Sequence, residues 1–188
     1  MLRLFSESLG AFLVSRLGDM PERPAATFSL PGNAAGRNAV NLYLASIVEN
    51  AELRSDEPEY ERSEFGFIAL KPPLRLKCTY IISVWPSEED REKAALIEHE
   101  LLSEVYRVFT YFSKLPSAFI PESMRADDLP APVLEIPKGE FQNKPEFWTS
   151  AGCTFHTAFS CTATVSLPAI QESYDHMVEK VQVGYKLK

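Results

Sequence analysis

Residues 73–85 read PLRLKCTYIISVW, and the alternation within them decides the fold class. Leu74, Leu76, Cys78, Tyr80, Ile82 and Val84 fall on one side of an extended chain, while Arg75, Lys77, Thr79 and Ser83 fall on the other. A period of two is what a strand with one buried face requires. Directly after it, Ser87, Asp90 and the acidic residues that follow open the longest helical pattern of the chain. Ala94, Ile97, Leu101, Leu102, Val105, Phe109 and Phe112 keep one stripe apolar as far as Lys114, and Pro116 stops it. Such a helix is about 25 residues, or roughly 38 Å, long at 1.5 Å per residue. Antiparallel strands are the natural floor for so broad a stripe.

Working outward, the same two periods recur. Cys153, Phe155, Thr157, Phe159, Cys161, Ala163, Val165 and Leu167 alternate with Thr154, His156, Ser160, Thr162, Thr164 and Ser166, which predicts a long half-buried strand. Ahead of it, Pro145 in a first turn and Gly152 as terminator predict a short helix over 145–151. Pro116 to Phe141 is proline-rich and predicts short extended pieces between loops. Toward the N terminus, AVNLYLASIV over 39–48 is apolar on both alternating faces at its start, as a central strand covered on both sides would be. Leu2, Phe5, Leu9, Phe12 and Leu13 predict an amphipathic helix from residue 2 to about 17, closed by Gly18. Pro21 to Asn38 reads as loop with one short strand at Ala26 to Leu30. The strands are grouped rather than alternating strictly with helices. The expected class is therefore α+β: a mainly antiparallel sheet flanked by a long central helix and an N-terminal helix.

The chain of 188 residues fits a single domain spanning 1–188. Its apolar share of 45% and charged share of 24% are those of a protein with a packed core. A net charge of -7 with no basic stripe argues against a nucleic-acid partner, and it helps keep identical subunits apart before assembly. The apolar run Ala11 to Val14 is too short for a secretory signal, being flanked by Glu7 and Arg16. No stretch approaches the roughly 20 apolar residues that cross a bilayer. The expectation is a cytoplasmic protein without membrane insertion. Cys78, Cys153 and Cys161 read as free thiols.

Chemistry-bearing patterns are weak. Glu98-His99-Glu100 lacks the second histidine of a helical zinc motif, because position 103 is Ser. Cys153, His156 and Cys161 do not form a zinc set on one strand, since His156 points away from the cysteines and those lie about 26 Å apart when extended. Gly32 and Gly36 are not followed by the Lys-Ser or Lys-Thr of a phosphate loop, and there is no Gly-x-Ser-x-Gly elbow. These readings leave no catalytic, cofactor-binding or metal-ligating residue. The alternative is a small cytoplasmic hydrolase or metal-binding enzyme built around His99 or His156. A third possibility is a monomeric ligand-binding or adaptor domain. Tyr106, Phe109, Tyr111, Phe112, Phe147 and Trp148 are core or interface anchors.

Two segments are candidate interface. Ser55 to Glu64 carries Asp56, Glu57, Glu59, Glu61 and Glu64 and predicts a solvated acidic loop able to face a basic partner. At the other end, VEKVQVGYKLK over 178–188 alternates Val181, Val183, Tyr185 and Leu187 with Lys180, Gln182, Gly184, Lys186 and Lys188. A strand with one apolar and one basic face wants a sheet to join, its own or a neighbour's. Residues 174–188 are thus a candidate terminal strand or arm for contact with another subunit or a partner.

The order of the segments resembles the N-terminal domain of the cap, or tail-terminator, proteins of phage-tail-like contractile injection systems of the antifeeding-prophage and virulence-cassette type. The resemblance rests on Val40-Asn41-Leu42-Tyr43-Leu44 with Glu49-Asn50 and Leu53-Arg54, and on Pro72-Pro73-Leu74-Arg75-Leu76 running to Tyr80-Ile81-Ile82. It continues through Glu98-His99-Glu100-Leu101-Leu102, Ile120-Pro121 and Phe147-Trp148, but not into Tyr174 to Lys188. It implies a phage tail-terminator-like fold, no catalytic residues and no cofactor. The implied partners are further copies of the chain, typically six in a ring, and the sheath and inner-tube proteins on whose last layer the ring sits.

Overall fold

The strand at the centre of the molecule is Leu74–Trp85, which becomes β5 in chain order. The computed structural model describes residues 1–18, 23–34, 38–54, 59–63, 66–125, 129–137 and 145–169. Its elements are α1 (Leu2–Arg16), β1 (Ala25–Thr27), β2 (Ala39–Glu49), β3 (Glu59–Ser63), β4 (Gly66–Leu70), β5, α2 (Arg91–Tyr111), β6 (Val133–Glu135), α3 (Pro145–Ser150) and β7 (Ala158–Leu167). A five-stranded sheet runs in the order β1-β2-β5-β7-β6, and β3 and β4 form a separate hairpin. Every pairing is antiparallel except β1 with β2. The α+β class and mainly antiparallel sheet expected from the sequence are what forms.

One face of the sheet carries the main core. Val40 and Leu42 of β2, the alternating residues Leu76 to Val84 of β5, and Cys161, Ala163 and Val165 of β7 are buried against α1 and α2. From α1 come Phe5, Leu9, Phe12 and Leu13; from α2 come Leu101, Val105, Val108 and Phe109. Phe12 fixes how the two helices meet, with its ring edge-on to Phe112 at 5.2 Å and to Phe119 at 5.4 Å. Within this core, the Ser6 and Tyr80 hydroxyls hydrogen bond each other at 2.8 Å, so the polar tip of Tyr80 is satisfied. The other face is covered at the end near Ala39 and Trp85, where Trp148 of α3 is fully buried and Phe147 lies 5.9 Å from Tyr43.

Local signals account for the boundaries. Asp90 caps α2 by accepting hydrogen bonds from the backbone N–H groups of Glu92 and Lys93. The helix ends at Tyr111, three residues before the expected Lys114. The backbone beyond it is taken by β6: Leu134 N donates to Ser113 O at 2.8 Å and Leu115 N donates to Pro132 O at 3.4 Å. Gly152, with φ of 76°, supplies the left-handed residue that ends α3. Buried Asn41 ties the segment before it to β2, donating to Ser29 O and accepting from Thr27 Oγ1.

Three expectations are corrected. The acidic stretch is not wholly loop, because Glu59–Ser63 pairs antiparallel with Gly66–Leu70; backbone pairing is indifferent to the charge that the side chains carry. The last long strand starts at Ala158 rather than Cys153, since its partner β5 has already reached Ser83 there and turns off at Trp85 and Pro86. That strand is also not half-buried: Thr162, Thr164 and Ser166 are buried along with the apolar residues between them. The double-sided cover expected for β2 holds for Ala39 to Leu42 and is lost from Ala45 onward. Among the described residues no helix is long and apolar enough to cross a membrane.

Candidate interaction surface

Both outer strands of the sheet are short: β1 pairs three residues of β2, and β6 pairs only Thr162, Ala163 and Thr164 of β7. On the β6 side, the hydrogen bonds from 113–115 and an antiparallel bridge between Lys114 and Val133 occupy the outer backbone. On the β1 side, pairing covers only Ala39, Val40 and Asn41 of β2. From Leu42 to Glu49, no strand among the described residues lies beside β2 on that side. The register shift between Leu44 and Ser46 marks a bulge, and beyond it Ile47 is 47% exposed and Val48 51% exposed. Edges are commonly shielded by lysine, proline or brevity; this one presents a bare Ile-Val pair.

Next to it lies an open groove of about 550 Å³, lined by Glu49, Glu52, Leu53, Lys77, Glu135 and Thr164 among others. Its walls are the short 3-10 turn Ala51–Leu53 and the strand β6. Its floor is the basic side of β5 and the threonine side of β7. Its lining thus includes three acidic residues and one lysine, and Glu49 also meets Arg54 at 3.8 Å. Exposed Leu53 and Leu74 flank the same end of the sheet.

A second cluster gathers the histidine singled out in the sequence. His156 stacks on Trp85 with ring centroids 4.1 Å apart and stands edge-on to Trp148 at 5.9 Å. Its Nε2 lies 2.7 Å from Val84 O, and because a carbonyl only accepts, Nε2 carries the hydrogen. Glu98 Oε2 lies 3.6 Å away. His99 and Glu100 are exposed, so the three consecutive residues diverge as helix geometry requires. Cys153 and Cys161 engage elsewhere: Cys153 Sγ donates to Trp148 O and Cys161 Sγ to Thr162 O. Among the described residues, no group of three or more His, Cys, Asp and Glu is placed to hold a metal. Burial pushes the thiols of Cys78 and Cys161 up to about 11 and about 12, away from the thiolate form a nucleophile needs.

Of the expected interface residues, Glu59 and Glu61 sit in β3, opposite Leu70 and Ile68 in register. Glu57 and the segment Lys180, Val181, Val183, Tyr185, Lys186, Leu187, Lys188 lie outside the described residues. The sequence reading missed Ile47 and Val48 as edge residues, because their alternation continues a buried strand. It also missed the approach of Glu98 to His156, which are 58 positions apart (156 − 98).

A family model described as the Pvc16 N-terminal domain matches residues 5–179. A sequence search of curated proteins found no match. Among solved structures, the chain is similar to the PVC sheath/tube terminator of an extracellular contractile injection system in its extended state, at 18% identity and a TM-score of 0.68, covering 100% of this chain and 63% of that one. It is also similar to the anti-feeding prophage cap, the AFP tube terminating cap, at 19% identity and a TM-score of 0.65, covering 97% of this chain and 60% of that one. The chain thus spans under two thirds of either structure.

Proposed function

The chain belongs to the Pvc16 N-terminal domain family, and from that premise we propose that it is a structural terminator of a contractile injection particle rather than an enzyme. Subunits join head to tail in a ring, expected to be of six, seated on the last layer of inner tube and sheath. A heterologous contact of this kind stops growing when its rotation closes, and the closed ring blocks further addition of tube or sheath subunits. Assembly takes place in the cytoplasm, and the ring then remains part of the particle.

The observation that carries this reading is the joint one: a family match over residues 5–179 and a fold that overlays a terminator structure along the whole chain. The physical character of the surface supports it. Ile47, Val48, Leu53 and Leu74 are apolar side chains left in water at one end of the sheet, as an interface awaiting its partner would leave them. The acidic segment with Glu57, Glu59 and Glu61 is assigned to a basic partner surface, and residues 174–188 to an arm that reaches a neighbouring subunit or the sheath.

The test is electron microscopy of the purified chain, alone and mixed with tube and sheath, joined to co-sedimentation. Rings that co-sediment with tube or sheath ends are expected. A monomer with no affinity for either overturns the proposal.

A further inference from the structure

We draw no further inference here: the strongest candidate, the open groove over β5, β7 and β6 beside the 3-10 turn Ala51–Leu53, carries nothing, because its charged lining is Glu49, Glu52 and Glu135 around Lys77 and nothing in the structure shows what covers it.

Discussion

His156 lies flat on Trp85, with 7° between the ring planes and 4.1 Å between centroids. With its hydrogen bond to Val84 O at 2.7 Å, 72 positions earlier in the chain, this stack fastens the connection between α3 and β7 to the end of β5. Replacing His156 by Ala removes both the stack and the donor and leaves Val84 O in need of a partner. A loss of about 1–3 kcal/mol is expected, read as a fall in Tm of about 2–4 °C per kcal/mol for a chain of this size. His156→Phe keeps the stack alone and should recover part of the loss. An unchanged Tm for His156→Ala would show that the stack holds nothing in place.

Tyr80 gives a pH prediction of definite sign. Burial pushes its hydroxyl up to about 12, with the Ser6 hydrogen bond pulling the other way, and burial also raises Cys78 to about 11 and Cys161 to about 12. In the unfolded chain these groups titrate near 10 for tyrosine and about 8.5 for cysteine. Between those values and the folded ones, the native state holds protons that the unfolded state has released, so stability falls as pH rises. The contribution is whole below about pH 8.5 and is lost progressively toward pH 12. Urea midpoints at pH 7, 9 and 10.5 should decline in that order. Tyr80→Phe should flatten the upper part of the decline, at a cost near neutral pH of about 1 kcal/mol for the bond to Ser6.

Gly10 of α1 packs closely against Ala26 of β1 and the neighbouring Phe28. A Cβ added there would meet Phe28 Cζ at 2.7 Å and Ala26 Cβ at 2.9 Å. Gly10→Val adds three carbons and must push α1 off the sheet edge, for an expected loss of about 1–3 kcal/mol by overpacking. Denaturant unfolding measures it. Stability equal to or above that of the unmodified chain would mean that the helix can slide without loss.

Much of this molecule was legible because its main elements are amphipathic and long. α1 and α2 each turn one side to water, and β5 does so from Arg75 to Thr79 while Ile81 and Ser83 are buried; the helix limits fall within three residues of the expected places. β3 escaped notice for the opposite reason: Glu59 and Glu61 make a strand look like solvated loop when charge is weighed and pairing cannot be. The covering of Thr162, Thr164 and Ser166 was equally hidden, since polar residues at every second position announce solvent unless the second layer is known. For the site, the edge of β2 was not legible. That edge exists because β1 stops after three residues, a property of pairing rather than of the residues Leu42 to Glu49 themselves.

Leu101 and Leu96 separate the two duties of α2. They sit five positions apart on one helix, yet Leu101 is 1% exposed and Leu96 63%. Leu101→Ala opens a cavity between the helix and the sheet and is expected to cost about 2–5 kcal/mol. Leu96→Ala removes a side chain already in water, so its effect on unfolding should stay within about 0.5 kcal/mol. In the ring reading, however, an exposed leucine on the outer stripe of the longest helix is a candidate contact. Sedimentation of Leu96→Ala with tube and sheath then distinguishes the cases: weaker association at unchanged Tm assigns Leu96 to an interface, and unchanged association leaves the α2 outer face free of one. A large fall in Tm for Leu96→Ala would contradict the packing of α2 on which both expectations stand.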